Sequence, residues 1–152
     1  MNKLKKRLCW LGNVLFVVYL ITLAYLMFFS ENYGRTDAGR EYQYNLVLFR
    51  EIKRYLIYHE QLGMGNVIIN LLGNIAAFMP YGFWLPIMNR VCDGWLRILL
   101  WSLGFSLGVE VTQLITKTGA FDVDDLMLNT IGGLLGYGIY CLFAKHNRKN
   151  MK

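Results

Sequence analysis

Four long runs of uncharged or nearly uncharged residues constrain this chain more than any other feature of its sequence. They cover residues 8–29, 67–88, 98–116 and 126–144. Each run is about as long as an α-helix must be to cross a hydrocarbon core of roughly 30 Å. A backbone in lipid must satisfy its own hydrogen bonds, so we expect each run to be helical. The sequence therefore predicts an all-α integral membrane bundle of four transmembrane helices, built as a single domain over residues 1–152.

The composition supports this fold class. Hydrophobic residues make up 55% of the chain and charged residues only 17%, whereas a typical soluble domain has about 25% charged residues. This composition excludes an intrinsically disordered chain and a disulfide-bonded scaffold. The three cysteines do not have the spacing of a zinc site, so we predict neither a metal nor another cofactor.

The distribution of basic residues predicts the orientation of the chain. Ten of the 16 Lys and Arg residues lie in the N-terminal segment, the 89–97 loop and the C-terminal tail. Because short segments rich in Lys and Arg stay in the cytoplasm, we expect a multi-pass protein of the cell membrane with both termini inside. The basic residues form no continuous stripe, so membrane lipid is an expected partner and nucleic acid is not.

The segment 30–66 between the first two runs is expected to lie outside the membrane. Its first part, from Glu31 to Glu41, is polar and is predicted to be irregular. Its second part, 42–58, has apolar residues about one helical turn apart at Leu46, Phe49, Ile52 or Lys53, and Leu56. This spacing predicts an amphipathic helix in the outer interface. Such a helix is either a structural cap over the bundle or a lid and docking surface for a ligand at the outer leaflet.

Amide and carboxyl side chains recur in or beside the last three runs. They are Asn70 and Asn74 in the second run, Glu110 and Gln113 in the third, Asp122, Asp124 and Asp125 before the fourth, and Asn129 within it. At a rise of about 1.5 Å per residue, they lie at a similar depth near the outer side. An ionised carboxyl in the bilayer costs about 2.5–3.5 kcal/mol, so we expect them to line an outward-facing polar pocket that binds a ligand. The alternative is hydrogen bonding that only fixes the helix packing.

Glu110 is the hardest of these residues to explain by packing, because a glutamine would serve with less desolvation. The four runs contain no basic residue. The partner of the Glu110 carboxyl is therefore expected to be Arg50 or Lys117 from the outer segments, an external cation, or its own proton.

Two small-residue motifs predict close contacts between helices. Gly104 and Gly108 are four residues apart in the third run, and Gly132 and Gly136 are four residues apart in the fourth. Glycines at this spacing let the backbones of membrane helices approach each other closely. We therefore expect both runs to pack through their glycine faces.

Several motifs occur in a fixed order along the chain. They are Asn45-Leu-Val-Leu-Phe49-Arg50, Asn70-Leu-Leu-Gly-Asn74, Phe78-Met-Pro80-Tyr-Gly82, Glu110-Val-Thr-Gln113 and Phe121-Asp-Val-Asp-Asp125-Leu-Met-Leu-Asn129. In sequence and order they resemble the VanZ-like family of small bacterial membrane proteins, over residues 45–140. The resemblance implies a cell-envelope role in antibiotic resistance, namely lowered susceptibility to teicoplanin-like glycopeptides.

Three mechanisms remain open at this point. The first is a non-enzymatic protein that binds a lipid-linked peptidoglycan precursor or the lipidated glycopeptide in the polar pocket. The second is a membrane enzyme that modifies a lipid or wall substrate with Glu110 as acid or base; against it, no His lies near the pocket. The third is a small transporter, but four helices make a narrow pathway and the chain has no inverted repeat.

Overall fold

The structure, a computed structural model, describes residues 3–29 and 42–149, which form six α-helices and two short β-strands. The helices are α1 (Lys3–Phe29), α2 (Arg50–Ile57), α3 (His59–Leu62), α4 (Met64–Met88), α5 (Trp95–Thr116) and α6 (Val123–Lys149); the strands are β1 (Tyr44–Asn45) and β2 (Phe121–Asp122). A 3₁₀ turn at Arg90–Cys92 lies between α4 and α5. The stretch from Glu31 to Glu41, predicted to be irregular, lies outside the described residues.

Four of the helices are long and apolar enough to cross a membrane. Their candidate spans are Trp10–Phe28, Met64–Met88, Trp95–Thr116 and Val123–Ala144. Each span coincides with one of the four apolar runs in the sequence to within a few residues. The predicted all-α architecture with four membrane-spanning helices is therefore confirmed, and the chain is a multi-pass membrane protein.

The chain divides into two compact units, at residues 1–39 and 40–152. The first unit contains α1, which has 27 residues. The second unit contains every other described element. The single membrane domain expected from the sequence stays a prediction.

Within the second unit, α6 packs backbone against backbone on α4. A Cβ atom added to Gly132 would lie 2.2 Å from the Ile75 carbonyl oxygen, and one added to Gly136 would lie 1.9 Å from that of Met79. These distances leave no room for a side chain, and a helix backbone cannot move aside as a flexible side chain can. The close approach predicted from the glycines of the fourth run is therefore confirmed.

The glycines of α5 do not make close contacts of this kind. A Cβ atom added to Gly104 or Gly108 would meet no described atom within 4 Å. The prediction that α5 packs through this face is therefore wrong for the part of the chain that the structure describes. Instead, α5 faces α6 through Ser102 and Ser106, which have no exposed surface. Gly133 of α6 has no side chain, and the Ser102 hydroxyl fills the space that a side chain at this position would need.

The segment 42–58, predicted as one amphipathic helix, contains β1, a turn and then α2. Because α2 begins only at Arg50, Leu46 and Phe49 precede the helix and do not belong to its faces. No residue of α2 is buried. Its placement in the outer interface stays a prediction.

Candidate functional site

A two-residue parallel strand pair joins the segment before α2 to the segment before α6. Tyr44 pairs with Phe121 and Asn45 pairs with Asp122. The side chains of Asn45 and Asp122 add a hydrogen bond of 3.1 Å from the amide nitrogen to a carboxylate oxygen. Both of these side chains are buried. The segment before α2 is thus held at the end of the bundle where α5 ends and α6 begins.

Glu110 lies directly beneath this strand pair. Its side chain is 1% exposed, and its Oε2 atom accepts a hydrogen bond of 2.9 Å from the backbone N–H of Asp122. The Oδ1 atom of Asp122 in turn accepts the backbone N–H of Asp124 at 2.8 Å. Carboxylates that accept N–H groups make stronger bonds than neutral acceptors do. A continuous series of such bonds therefore connects the middle of α5 with the first turn of α6.

Asp124 extends this series to α2. One of its carboxylate oxygens accepts the backbone N–H of Phe49, and the other accepts those of Glu51 at 2.8 Å and Ile52 at 3.3 Å. Phe49, the residue before the helix, has a left-handed backbone with φ of 65°. The first N–H groups of a helix have no partner in the helix and carry partial positive charge, so a carboxylate there is stabilising. Asp124 is consequently the N-terminal cap of α2, supplied by another helix.

Asp125 and the amide side chains tie the three long helices of this unit together. The amide nitrogen of Asn74 on α4 donates to the Oδ1 atom of Asp125 on α6 at 2.6 Å. Lower in the bundle, the amide nitrogen of Asn129 donates to the Ser106 hydroxyl of α5 at 3.0 Å. Asn129 is fully buried, and its carbonyl oxygen has no hydrogen-bond partner among the described residues. We refer to Glu110, Asp122, Asp124 and Asp125 below as the acidic cluster.

The electrostatics of the acidic cluster follow from its burial. Four carboxyl groups lie close together at one end of the bundle, and burial raises the pKa of the Asp122 carboxyl above its ordinary range. Backbone and amide N–H groups compensate the carboxyls in the contacts described above. Among the described residues, no group of three or more His, Cys, Asp or Glu side chains is arranged to hold a metal ion. The cluster is thus arranged to hold α2 and β1 in place.

The other residues expected in or beside the pocket are spread over α2, α4 and the C-terminal end of α5. Gln113 is buried, with its side chain packed beside Gly119. Asn70 lies apart from the cluster in its hydrogen bonding, since its amide nitrogen donates to the Asn66 carbonyl of its own helix at 2.7 Å. Arg50 is an exposed residue of α2. The Lys117 ammonium group lies over the Tyr42 ring, 4.7 Å from its centre.

Two further residues bind these polar side chains although they were not among the predicted site residues. Asn45 binds Asp122, and Ser106 binds Asn129. Ser106 stands one helical turn from Glu110, so its spacing on α5 was an available signal. Asn45 precedes its partner by 77 positions, and its position as the first residue of a motif is the one hint that the sequence contains.

The cap that Asp124 provides makes a specific prediction about α2. We expect Asp124→Asn to increase the rate of amide hydrogen exchange in α2 by at least about fivefold, because losing a helix cap and a charge-assisted bond costs about 1–3 kcal/mol. An asparagine presents one oxygen and one NH₂ group, whereas Asp124 uses both oxygens as acceptors. Hydrogen exchange of the purified chain, read by mass spectrometry over residues 50–57, measures this effect.

Asp122→Asn is the matched control. Both of the bonds described for the Asp122 side chain use its Oδ1 atom, so an asparagine keeps them and removes a charge that burial disfavours. The two bonds lose their charge assistance, so we expect exchange in α2 to rise by less than in Asp124→Asn, which removes the cap itself. Equal exchange rates in the two variants would show that Asp124 does not hold α2.

Comparison with known proteins places this architecture in a family. Residues 16–144 match the family model described as VanZ/LLP1. The chain is also 32% identical, over 143 residues, to Protein VanZ of Enterococcus faecium, covering 93% of this chain and 81% of that protein. No solved structure matches the chain. Since the family model covers most of the chain and the alignment with the relative covers 93% of this chain, this membrane protein belongs to the VanZ family.

Proposed function

We propose that the chain is a binding protein of the cell envelope that lowers susceptibility to teicoplanin-like glycopeptides. In this proposal it binds a lipid-tailed ligand at the outer leaflet, either the lipidated antibiotic or a lipid-linked wall precursor. The observation that carries the proposal is the series of hydrogen bonds from Glu110 through Asp122 and Asp124 to the first turn of α2. This series links the buried Glu110 carboxyl to the position of the exposed helix α2.

The surface that α2 and the preceding turn present is suited to a lipid tail. Several of its apolar side chains are exposed, namely Leu46, Val47, Leu48, Leu56 and Ile57. Val47, Leu48 and Ile57 line one groove beside α2, and exposed apolar surface of this kind marks sites that bind membranes, proteins or apolar ligands. An acyl or isoprenoid chain would cover these side chains and remove their apolar surface from water. We therefore assign ligand contact to α2 and its turn, and we assign the acidic cluster the role of holding them in position.

The proposal also gives the polar residues of the bundle a role different from that of a solvent-filled pocket. Glu110 and Asp124 are each 1% exposed, so a ligand would reach them only after α2 has moved. Their contribution in the closed arrangement is to position α2. This favours binding over acid–base catalysis, which would require a substrate atom within hydrogen-bond reach of Glu110.

The experiment compares two glycopeptides in a susceptible bacterial host that expresses the parent chain. We expect the minimum inhibitory concentration to rise for a glycopeptide with an acyl tail and to stay nearly unchanged for the same core without the tail. A variant with Leu56 and Ile57 both replaced by serine should lose most of this rise at normal abundance. An equal rise for the two antibiotics would overturn recognition of the lipid tail.

The orientation that this proposal requires has a test of its own. Cys92 is buried, so its labelling would report burial as well as topology. We therefore use a chain in which Cys9, Cys92 and Cys141 are replaced by alanine, and compare single cysteines at Tyr58 and Val91, which are 51% and 71% exposed. With both termini in the cytoplasm, an impermeant maleimide should label position 58 in intact cells and position 91 only after permeabilisation. Labelling of position 91 in intact cells would reverse the orientation.

A further inference from the structure

A groove beside α2 combines basic and apolar side chains. Its volume is about 430 Å³, and it is lined by Val47, Leu48, Arg50, Glu51, Lys53, Arg54 and Ile57. On α2, Arg50, Lys53, Arg54 and Ile57 are spaced i, i+3, i+4 and i+7, which places them on one helical face. The groove is therefore basic in its middle and apolar at its ends.

The charges of this groove are not balanced within the described part of the chain. The Arg54 guanidinium forms an ion pair with the Glu51 carboxylate at 2.7 Å, so these two charges cancel. Arg50 and Lys53 are exposed, and neither forms an ion pair with another described residue. Like charges three residues apart on a helix repel each other. Two positive charges in one groove thus call for a ligand with negative charge.

The apolar ends of the groove favour an anion that carries an apolar chain over a small inorganic anion. Ile57 is 67% exposed and Val47 is 60% exposed, so they offer contact area that a small inorganic anion would leave unused. Arginine and lysine together are characteristic of sites for phosphate groups. A phosphate group that carries an apolar chain satisfies both parts of the groove. Two unbalanced cations match the charge of a diphosphate better than that of a single phosphodiester.

The acidic cluster disfavours the binding of an anion within the bundle, which leaves the groove on α2 as the site. An anionic headgroup would be repelled by the carboxyls of Glu110, Asp122, Asp124 and Asp125, whereas the groove on α2 attracts it. We propose that the groove formed by Val47, Arg50, Lys53 and Ile57 binds the diphosphate of a lipid-linked wall precursor. This inference rests on the proposed function and assigns this groove to the precursor.

The test uses the full-length chain in phosphatidylcholine nanodiscs, with farnesyl diphosphate as the probe. We expect saturable binding of farnesyl diphosphate, and binding at least about tenfold weaker for farnesol and for inorganic diphosphate, since each lacks one half of the contacts. Equal affinity for inorganic diphosphate and farnesyl diphosphate would overturn the proposal in favour of a simple anion site. Complete competition by phosphatidylglycerol in the disc would overturn it in favour of an ordinary membrane lipid.

Variants separate the groove from general electrostatics. The double substitution Arg50→Gln and Lys53→Gln should weaken binding by at least about tenfold, while the charge-conserving pair Arg50→Lys and Lys53→Arg should keep most of it. Arg90→Gln removes one positive charge from the 3₁₀ turn, which lies outside the groove. We expect this variant to bind farnesyl diphosphate as the parent chain does. Hydrogen exchange over α2 confirms that the double variant keeps this helix. Unchanged binding by a folded double variant would refute the site.

The two proposals fail in different ways in these measurements. The nanodisc assay contains no antibiotic, so loss of farnesyl diphosphate binding together with intact protection would refute the diphosphate site and leave the proposed function standing. Binding of the probe by a chain that gives no protection would instead refute the proposed function.

Discussion

Gly132→Leu is expected to remove most of the protein from the membrane fraction. Even the first atom of the new side chain would lie 2.2 Å from the Ile75 carbonyl oxygen, and the rest of the leucine would force α6 away from α4. Overpacking in a well-packed core costs about 1–3 kcal/mol, and more where backbone must move. The stability of membrane bundles depends on such close contacts between small residues. Quantitative immunoblotting of membranes, with thermal aggregation in detergent, measures the loss.

Gly108→Leu provides the matched control. It makes the same substitution in a transmembrane helix, but a Cβ atom at Gly108 meets no described atom within 4 Å. We expect abundance near that of the parent chain. The alanine versions sharpen the comparison, because alanine is favoured over glycine in a helix by about 1 kcal/mol. Gly108→Ala should therefore stabilise the protein, whereas Gly132→Ala should destabilise it, and effects of the same sign would contradict the packing described for α6.

Glu110→Gln is expected to leave the protein folded and abundant while abolishing its protective activity. The glutamine oxygen can still accept the N–H of Asp122, and removing a buried charge lowers the desolvation cost, so abundance should hold or rise. The bond to Asp122 loses its charge assistance, which weakens it by about half. Because this bond belongs to the same series as the cap on α2, a loss of up to about 1.4 kcal/mol would shift the population of docked α2 by at most about tenfold. The rise in minimum inhibitory concentration for an acylated glycopeptide should fall accordingly.

The readouts for Glu110→Gln are protein abundance, the inhibitory concentration, and hydrogen exchange over α2. Asn70→Ala is a suitable control, because the Asn70 side chain binds its own helix and not the acidic cluster. We expect it to keep both abundance and protection. A Glu110→Gln chain with full protection at normal abundance would show that the acidic cluster serves packing alone.

The long helices could be predicted from the sequence because their signal is local. Each apolar run is as long as a membrane span, and its composition alone indicates a helix. The ends were less accurate: α4 begins at Met64, α5 at Trp95 and α6 at Val123, each earlier than the apolar run. Helix hydrogen bonding does not stop where apolar residues stop, so a helix continues into segments with glycine, arginine or aspartate.

The geometry of the site could be predicted only in part. Periodicity correctly brought Asn74, Glu110 and Asn129 to one end of the bundle, because residues at helical spacing share a face. It could not show that Asp124 caps α2, since the two lie 72 to 75 positions apart. The start of α2 is determined by this distant cap and by β1, so local spacing placed the helix too early and assigned it an apolar face that includes Leu46 and Phe49.

The cap on α2 also has a consequence for how the protein is made. The backbone N–H of Phe49 binds a carboxylate that is 75 residues further along the chain, and ribosomes add about 5–20 residues per second. Roughly 4–15 seconds therefore pass between the synthesis of Phe49 and that of Asp124. Throughout that interval the segment around Phe49 has neither its strand partner nor its cap. Assembly of the surface around α2 is accordingly a late event in biogenesis, completed when the final helix is inserted.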